Sequence, residues 1–376
     1  MKFRAIQICL VFMVATAAVG ARAASRNDDV RSQKVERTVP ADPSVTVSIC
    51  VMSGSISVHG WDKNEVLARS SDAAQIELRQ KDGASQSGKA TRVEVFVVDK
   101  SDEQRIKNNC QAYSDLELFV PRAASVHVQT RDGDIDIADI AIAVAGTQNG
   151  DICVERVSRA VEVGSVGGSV SIKDSTGRAS VTTIGGGIEV VNLRPSAAAD
   201  GFEAISVSGD LSLEGVSHSQ FNARTVTGDV HLTGPLAAGG RYGFKTMSGD
   251  ITLTLPGDSS FSLSAKVSKD GEIISDFPLT LIPDNAPSPA PAPAPAPAPA
   301  ASAVSSVHPK SPAPAPAATP EAPVIIRVSP RMSKVIVTTP VITVTTTMRR
   351  VNAVCGAGDA SIQVASFSGT LHLVKK

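Results

Sequence analysis

Three stretches decide the fold: Ser206–Leu213 (SVSGDLSL), Thr225–Leu232 (TVTGDVHL) and Thr246–Leu253 (TMSGDITL). Each begins on a hydroxyl residue, reaches a glycine three places later, and continues with an aspartate and two apolar residues that bracket one polar residue. Apolar residues two apart mark a strand with one buried face. A glycine between Ser or Thr and Asp is turn chemistry, because such side chains bond to nearby backbone and glycine supplies space or positive φ. The unit reads as a corner that feeds a strand.

Working outward, the unit recurs. Gly133, Gly150, Gly168, Gly186, Gly209, Gly228 and Gly249 align with spacings of 17, 18, 18, 23, 19 and 21 residues, and an apolar pair follows every one, from Ile135/Ile137 to Ile251/Leu253. A second strand precedes the glycine, with inward pairs Val126/Val128, Val161/Val163, Phe202/Ala204, Phe221/Ala223 and Tyr242/Phe244. The second repeat offers Ala143/Ala145 with Val144 out of step, which predicts a local bulge. Strand, corner, strand at a fixed period is the signature of stacked coils. The fold class is all-β, a single-stranded β-solenoid (β-helix) of roughly 17–23-residue rungs.

The residue three before each glycine is Thr130, Thr147, Ser165, Thr183, Ser206, Thr225 or Thr246. Stacked rungs would bring these hydroxyls about 4.8 Å apart. They are expected to form a structural ladder through the corner, the alternative being a solvent-facing array that binds water or glycans. The next residue is often apolar (Val166, Ile184, Val207, Val226, Met247), so side-chain parity switches at the corner. The pattern also appears around Gly54 (Val47/Ile49, Ile56/Val58) and Gly369 (Ile362/Val364, Leu371/Leu373, with Ser366 at the hydroxyl position).

These matches set the expected domain plan: a signal peptide over residues 1–23, an N-terminal extension over 24–43, a β-solenoid over 44–284, an insertion over 285–350 and a final rung over 351–376. Lys2 and Arg4, an apolar run from Ile6 to Gly20 and the small-x-small Ala21-Arg22-Ala23 carry the signal reading. It predicts an exported protein of the periplasm, cell surface or medium, with no transmembrane span once the signal is removed. Thirteen of 23 prolines fall in residues 286–323, an Ala-Pro alternation that cannot pack a core. The β-branched stretch 324–348 follows it. Cys50, Cys110, Cys153 and Cys355 allow three disulfide pairings, Cys50 with Cys110 being mildly preferred because both precede the main repeats.

Composition narrows function. Lys and Arg total 36 against 37 Asp and Glu, which offers no basic surplus to capture nucleic acid. Ten Phe, two Tyr and one Trp are too few for base-stacking platforms and imply an aliphatic core. Asp210, Asp229 and Asp250, like Asp134 and Asp151, recur at equivalent places, about 5 Å apart if stacked, close to the carboxylate spacing of retaining glycosidases. A residue repeated beside every turn glycine is more simply turn chemistry. The histidines are scattered; His127, His231 and His372 fall on outward strand positions. No metal spacing, Ser-His-Asp order or phosphate loop occurs, so no catalytic residue, cofactor-binding residue or metal ligand is assigned.

Val45–Asp62 (VTVSICVMSGSISVHGWD), Asp115–Ile137 (DLELFVPRAASVHVQTRDGDIDI), the serial glycine units, Ser275–Leu281 (SDFPLTL) and Gly356–Lys376 (GAGDASIQVASFSGTLHLVKK) follow a familiar order. In these segments the chain resembles the bacterial putative adhesin family, exported β-repeat domains of unknown function. The resemblance implies a β-solenoid in the cell envelope and brings no catalytic residues. The expected function is a non-enzymatic envelope-binding or structural protein that meets a surface glycan or protein. The competing expectation is a polysaccharide-active β-helix enzyme that uses aspartates on adjacent rungs.

Overall fold

Period-two apolar residues on both sides of a glycine corner generate two parallel ladders. In the computed structural model, residues 35–70, 75–81, 88–98, 110, 112–268, 272–282 and 349–376 are described. The expected signal peptide and residues 285–348 of the expected insertion lie outside them. Strands before the corner, such as Ala160–Ser165, Arg178–Thr183 and Gly201–Ser206, pair in parallel with their counterparts one rung away. Strands after it, such as Val170–Lys173 and Ile188–Val191, do the same. The fold is the all-β solenoid that the periodicity predicts.

The expected bulge in the second repeat is absent. Ile142–Thr147 pairs without a break on both sides, Ala143 and Ala145 face the core, and Val144 simply points outward. Alanine is the inward residue there because adjacent rungs supply Val126, Val128, Val161 and Val163.

Rung order leaves sequence order at both ends. The rung formed by Thr46–Ser53 and Ile56–Trp61 lies between the one that starts at Ser125 and another built from Ala90–Val98 and Leu116–Pro121. Glu65–Ser70 and Gln75–Gln80 add antiparallel strands at this end, and a disulfide joins Cys50 to Cys110. At the other end, Ala360–Ser368 inserts between Arg241–Ser248 and Phe261–Val267, and Leu371–Lys375 inserts between Ile251–Leu255 and Ile273–Ser275. Arg349–Cys355 then runs antiparallel on Phe261–Val267.

The core is aliphatic in the early rungs; in the later ones the pre-corner strands add rings to aliphatic post-corner strands, where sequence composition predicts aliphatic residues throughout. Phe202 and Phe221 stack at 4.9 Å, and Phe221 meets Tyr242 at 5.5 Å and Phe244 at 5.3 Å, all buried. The later rungs are the longer ones, with spacings of 23, 19 and 21 residues, and enclose room for rings beside Ala204 and Ala223. The rungs from Gly133 to Gly186 turn a second corner through residues at positive φ, Asp139, Arg156, Asp174 and Asn192, with Gly215 and Gly234 in that place on the next two.

Candidate functional site

The glycine corner is where the chain brings its repeated polar residues together, and its geometry assigns each a task. The corner glycines stack directly: a Cβ on Gly228 would lie 2.3 Å from the Gly209 carbonyl oxygen, and one on Gly249 would lie 2.1 Å from that of Gly228. Gly228 and Gly249 also hold φ of +145° and +143°, a region L residues avoid. The column extends to Gly54 below Gly133 and to Gly369 above Gly249.

The hydroxyl ladder is structural, but its bonds do not run from hydroxyl to hydroxyl. Each donates to the carbonyl of the corner glycine one rung back: Ser165 to Gly150 at 3.1 Å, Thr183 to Gly168 at 3.1 Å, Ser206 to Gly186 at 3.2 Å and Thr225 to Gly209 at 3.1 Å. Ser165 and Thr183 also accept from the N–H of their own corner glycines, Gly168 and Gly186. All these side chains are buried. Among the described residues, Thr130 Oγ1 and Ser366 Oγ lack such a partner, and both lie where rung order leaves sequence order.

The aspartates are backbone caps. The Oδ1 of Asp134, Asp210, Asp229 and Asp250 accepts the N–H of Asp151, Asp229, Asp250 and Thr370 respectively, at 2.7–2.9 Å. Asp151 caps Ser169 in the same way. Ser169 and Gly187 carry no carboxylate, so the file is broken between Asp151 and Asp210.

Outside the turn position, the carboxylates on the two outward ladder faces considered for catalysis stand more than one rung apart. Asp136 and Glu189 share a groove of about 570 Å³ on the post-corner ladder but stand three rungs apart, about 14 Å. Burial, and secondarily the charge of Asp134, raises the Asp136 carboxyl above the usual carboxylate range. Glu162 and Glu203 flank Ser180 on the pre-corner ladder, two rungs and about 10 Å apart, just beyond the separation of inverting carboxylates. Among the described residues no three His, Cys, Asp or Glu side chains gather as metal ligands.

Two features escaped sequence reasoning. The apolar residues that follow the hydroxyls do not turn inward: Val166, Ile184, Val207, Val226 and Met247 are 42–56 % exposed, and Phe367 extends the line at 45 %. At one rung per step they form a stripe about 24 Å long. His218 is fully buried, with Nε2 2.8 Å from the Gly177 carbonyl, so Nε2 carries the proton and Nδ1 is left without a partner. Burial lowers its pKa, despite the bond to Gly177 and the charge of Asp200. Its alternation with buried Val216 was the available signal. His127 and His231 are exposed, as the alternation predicts.

No helix of the described residues is long and apolar enough to cross a membrane. No curated protein matches the chain. A solved structure of a putative cell adhesion protein from Clostridium sporogenes ATCC 15579 aligns with 91% of this chain and 99% of its own, at 10% identity and a TM-score of 0.19. A likeness of that size carries no argument. Residues 19–214 and 145–281 match the Toastrack DUF4097 family, whose β-solenoid-like repeat agrees with the ladders described above. The chain belongs to the Toastrack DUF4097 family, a family of unknown function.

Proposed function

We propose that this chain is an exported, non-enzymatic scaffold of the cell envelope that holds a surface glycan or protein by repeated contacts along its outward columns. The exposed stripe from Val166 to Phe367 carries the reading. Six large apolar side chains in register are costly on a soluble surface, and contiguous exposed apolar surface marks an interaction site. The corner does not need them for support, because the buried hydroxyls and glycines beneath already bond rung to rung.

Against the enzyme reading, the repeated aspartates each have a carboxylate oxygen occupied by backbone. The enzyme alternative keeps one foothold, the Glu162–Glu203 pair beside Ser180. Glu203 is engaged there by Asn222 Nδ2 at 3.0 Å. We read residues 285–350 as an arm on the scaffold and residues 351–376 as the segment that returns from it to complete the C-terminal end of the stack.

Retention of the mature protein on isolated envelope fractions tests the reading. The variant Ile184→Ser/Val207→Ser/Val226→Ser is expected to lose at least tenfold in retention while its far-ultraviolet circular dichroism is unchanged. Retention equal to the parent would contradict it.

A further inference from the structure

The C-terminal end of the pre-corner ladder carries a file of cations that neither the corner nor the core requires. Reading across five neighbouring strands, the outward row is Arg224, Lys245, Ala365, Lys266 and Arg350. The adjacent row is Asn222, Gly243, Gln363, Ser264 and Asn352. The two rows form a groove of about 470 Å³ over buried Phe244 and Val364.

Arg224 lies directly opposite Lys245, and Lys266 directly opposite Arg350. Like charges placed opposite one another on neighbouring strands destabilise a sheet. Among the described residues none of these four cations makes an ion pair. Glu203, an acid on the same face, is turned to Asn222, whose own Oδ1 accepts from Arg224 Nε at 3.0 Å. The middle of the groove is kept low by Ala365 and Gly243. Gly243 has no positive φ, and a Cβ there would come no closer than 3.4 Å to a neighbouring atom, so the fold itself does not demand glycine.

The rest of the lining selects the ligand. Asn222, Gln363 and Ser264 offer amide and hydroxyl groups that match sugar hydroxyls. No exposed aromatic ring lines the groove, so it has no platform for nucleic-acid bases. No exposed large aliphatic lines it either, so it lacks the apolar face that seats a protein in a bilayer. Four cations over about 19 Å suit a linear polyanion that runs along the stack of rungs.

We propose that this groove binds an acidic polysaccharide. Its anionic substituents meet Arg224, Lys245, Lys266 and Arg350, and its hydroxyls meet Asn222, Gln363 and Ser264. The inference rests on the binding-scaffold reading but uses none of the apolar stripe.

Calorimetric titration of the full mature chain with a hexamer of galacturonic acid, and with its neutral methyl ester, tests it directly. The acid form is expected to bind at low ionic strength, at least tenfold more tightly than the ester, and to weaken as salt rises. The variant Arg224→Gln/Lys245→Gln/Lys266→Gln should lose at least tenfold in affinity with a melting temperature equal to or above the parent, because the substitutions relieve repulsion. Arg131→Gln, remote from the groove, should stay within twofold. Equal binding of acid and ester, no binding of either, or an unaffected triple variant would overturn the proposal. So would tighter, equally variant-sensitive binding of a single-stranded DNA oligomer or of phosphatidylglycerol vesicles. Loss of this binding with stripe-dependent envelope retention intact would overturn this site alone; loss of both would overturn the scaffold.

Discussion

At corners such as Gly150, Gly228 and Gly249 a single glycine satisfies two demands at once, close approach to the glycine below and positive φ. At Gly228 both apply, so Gly228→Ala is expected to destabilise the chain by about 3 kcal/mol or more, read as a lower denaturant midpoint at unchanged slope. His218 supplies the pH dependence of this scale. Its folded pKa lies below the unfolded value of about 6.5, so protonation favours the unfolded chain. Stability should be full above pH 7 and fall as the pH drops through 6.5, with His218→Leu removing that component of the slope in parallel melts. A flat profile for the parent would contradict the buried, neutral imidazole.

At the scale of the rung, hydroxyl, glycine and aspartate act as one unit that ties each corner to the next. Thr183 makes two of these bonds, to Gly168 O and from Gly186 N, where Thr225 makes one, to Gly209 O. Thr183→Val should therefore cost about 1 kcal/mol more than Thr225→Val in equilibrium unfolding. The unit was legible in sequence because each of its parts recurs at a fixed offset from glycine, and period two separates inward from outward. What was not legible is the partner of each hydroxyl. Neighbouring hydroxyls and the glycine carbonyl one rung back lie equally near in a stacking argument, and only the twist of the corner decides. The outward turn of Val166, Ile184 and Val207 was hidden for the same reason: an apolar residue just after a parity switch fits either face.

For the whole molecule, the repeats are so alike that any rung can pair with any other, and sequence order was the natural assumption. The structure instead seats Ala360–Ser368 between Arg241–Ser248 and Phe261–Val267. That insertion sets Ala365 between Lys245 and Lys266, and the antiparallel return of Arg349–Cys355 brings Arg350 opposite Lys266, so the cation file could not be read along the chain. It also makes the closing segment a structural keystone. Removal of residues 356–376 should strip Phe261–Val267 of its parallel partner and raise its amide hydrogen exchange by orders of magnitude, while Ala160–Ser165 stays protected. Slow exchange at Phe261–Val267 in the truncated chain would contradict the rung order.

The aspartates cap rungs, and in the proposed function the outward stripe does the binding. Envelope retention of two variants, measured side by side, sets these roles against each other. Asp210→Asn/Asp229→Asn/Asp250→Asn keeps the Oδ1 acceptors and should be retained within twofold of the parent. Ile184→Ser/Val207→Ser/Val226→Ser should lose at least tenfold. The reverse order, with retention abolished by the asparagines and untouched by the serines, would contradict this assignment.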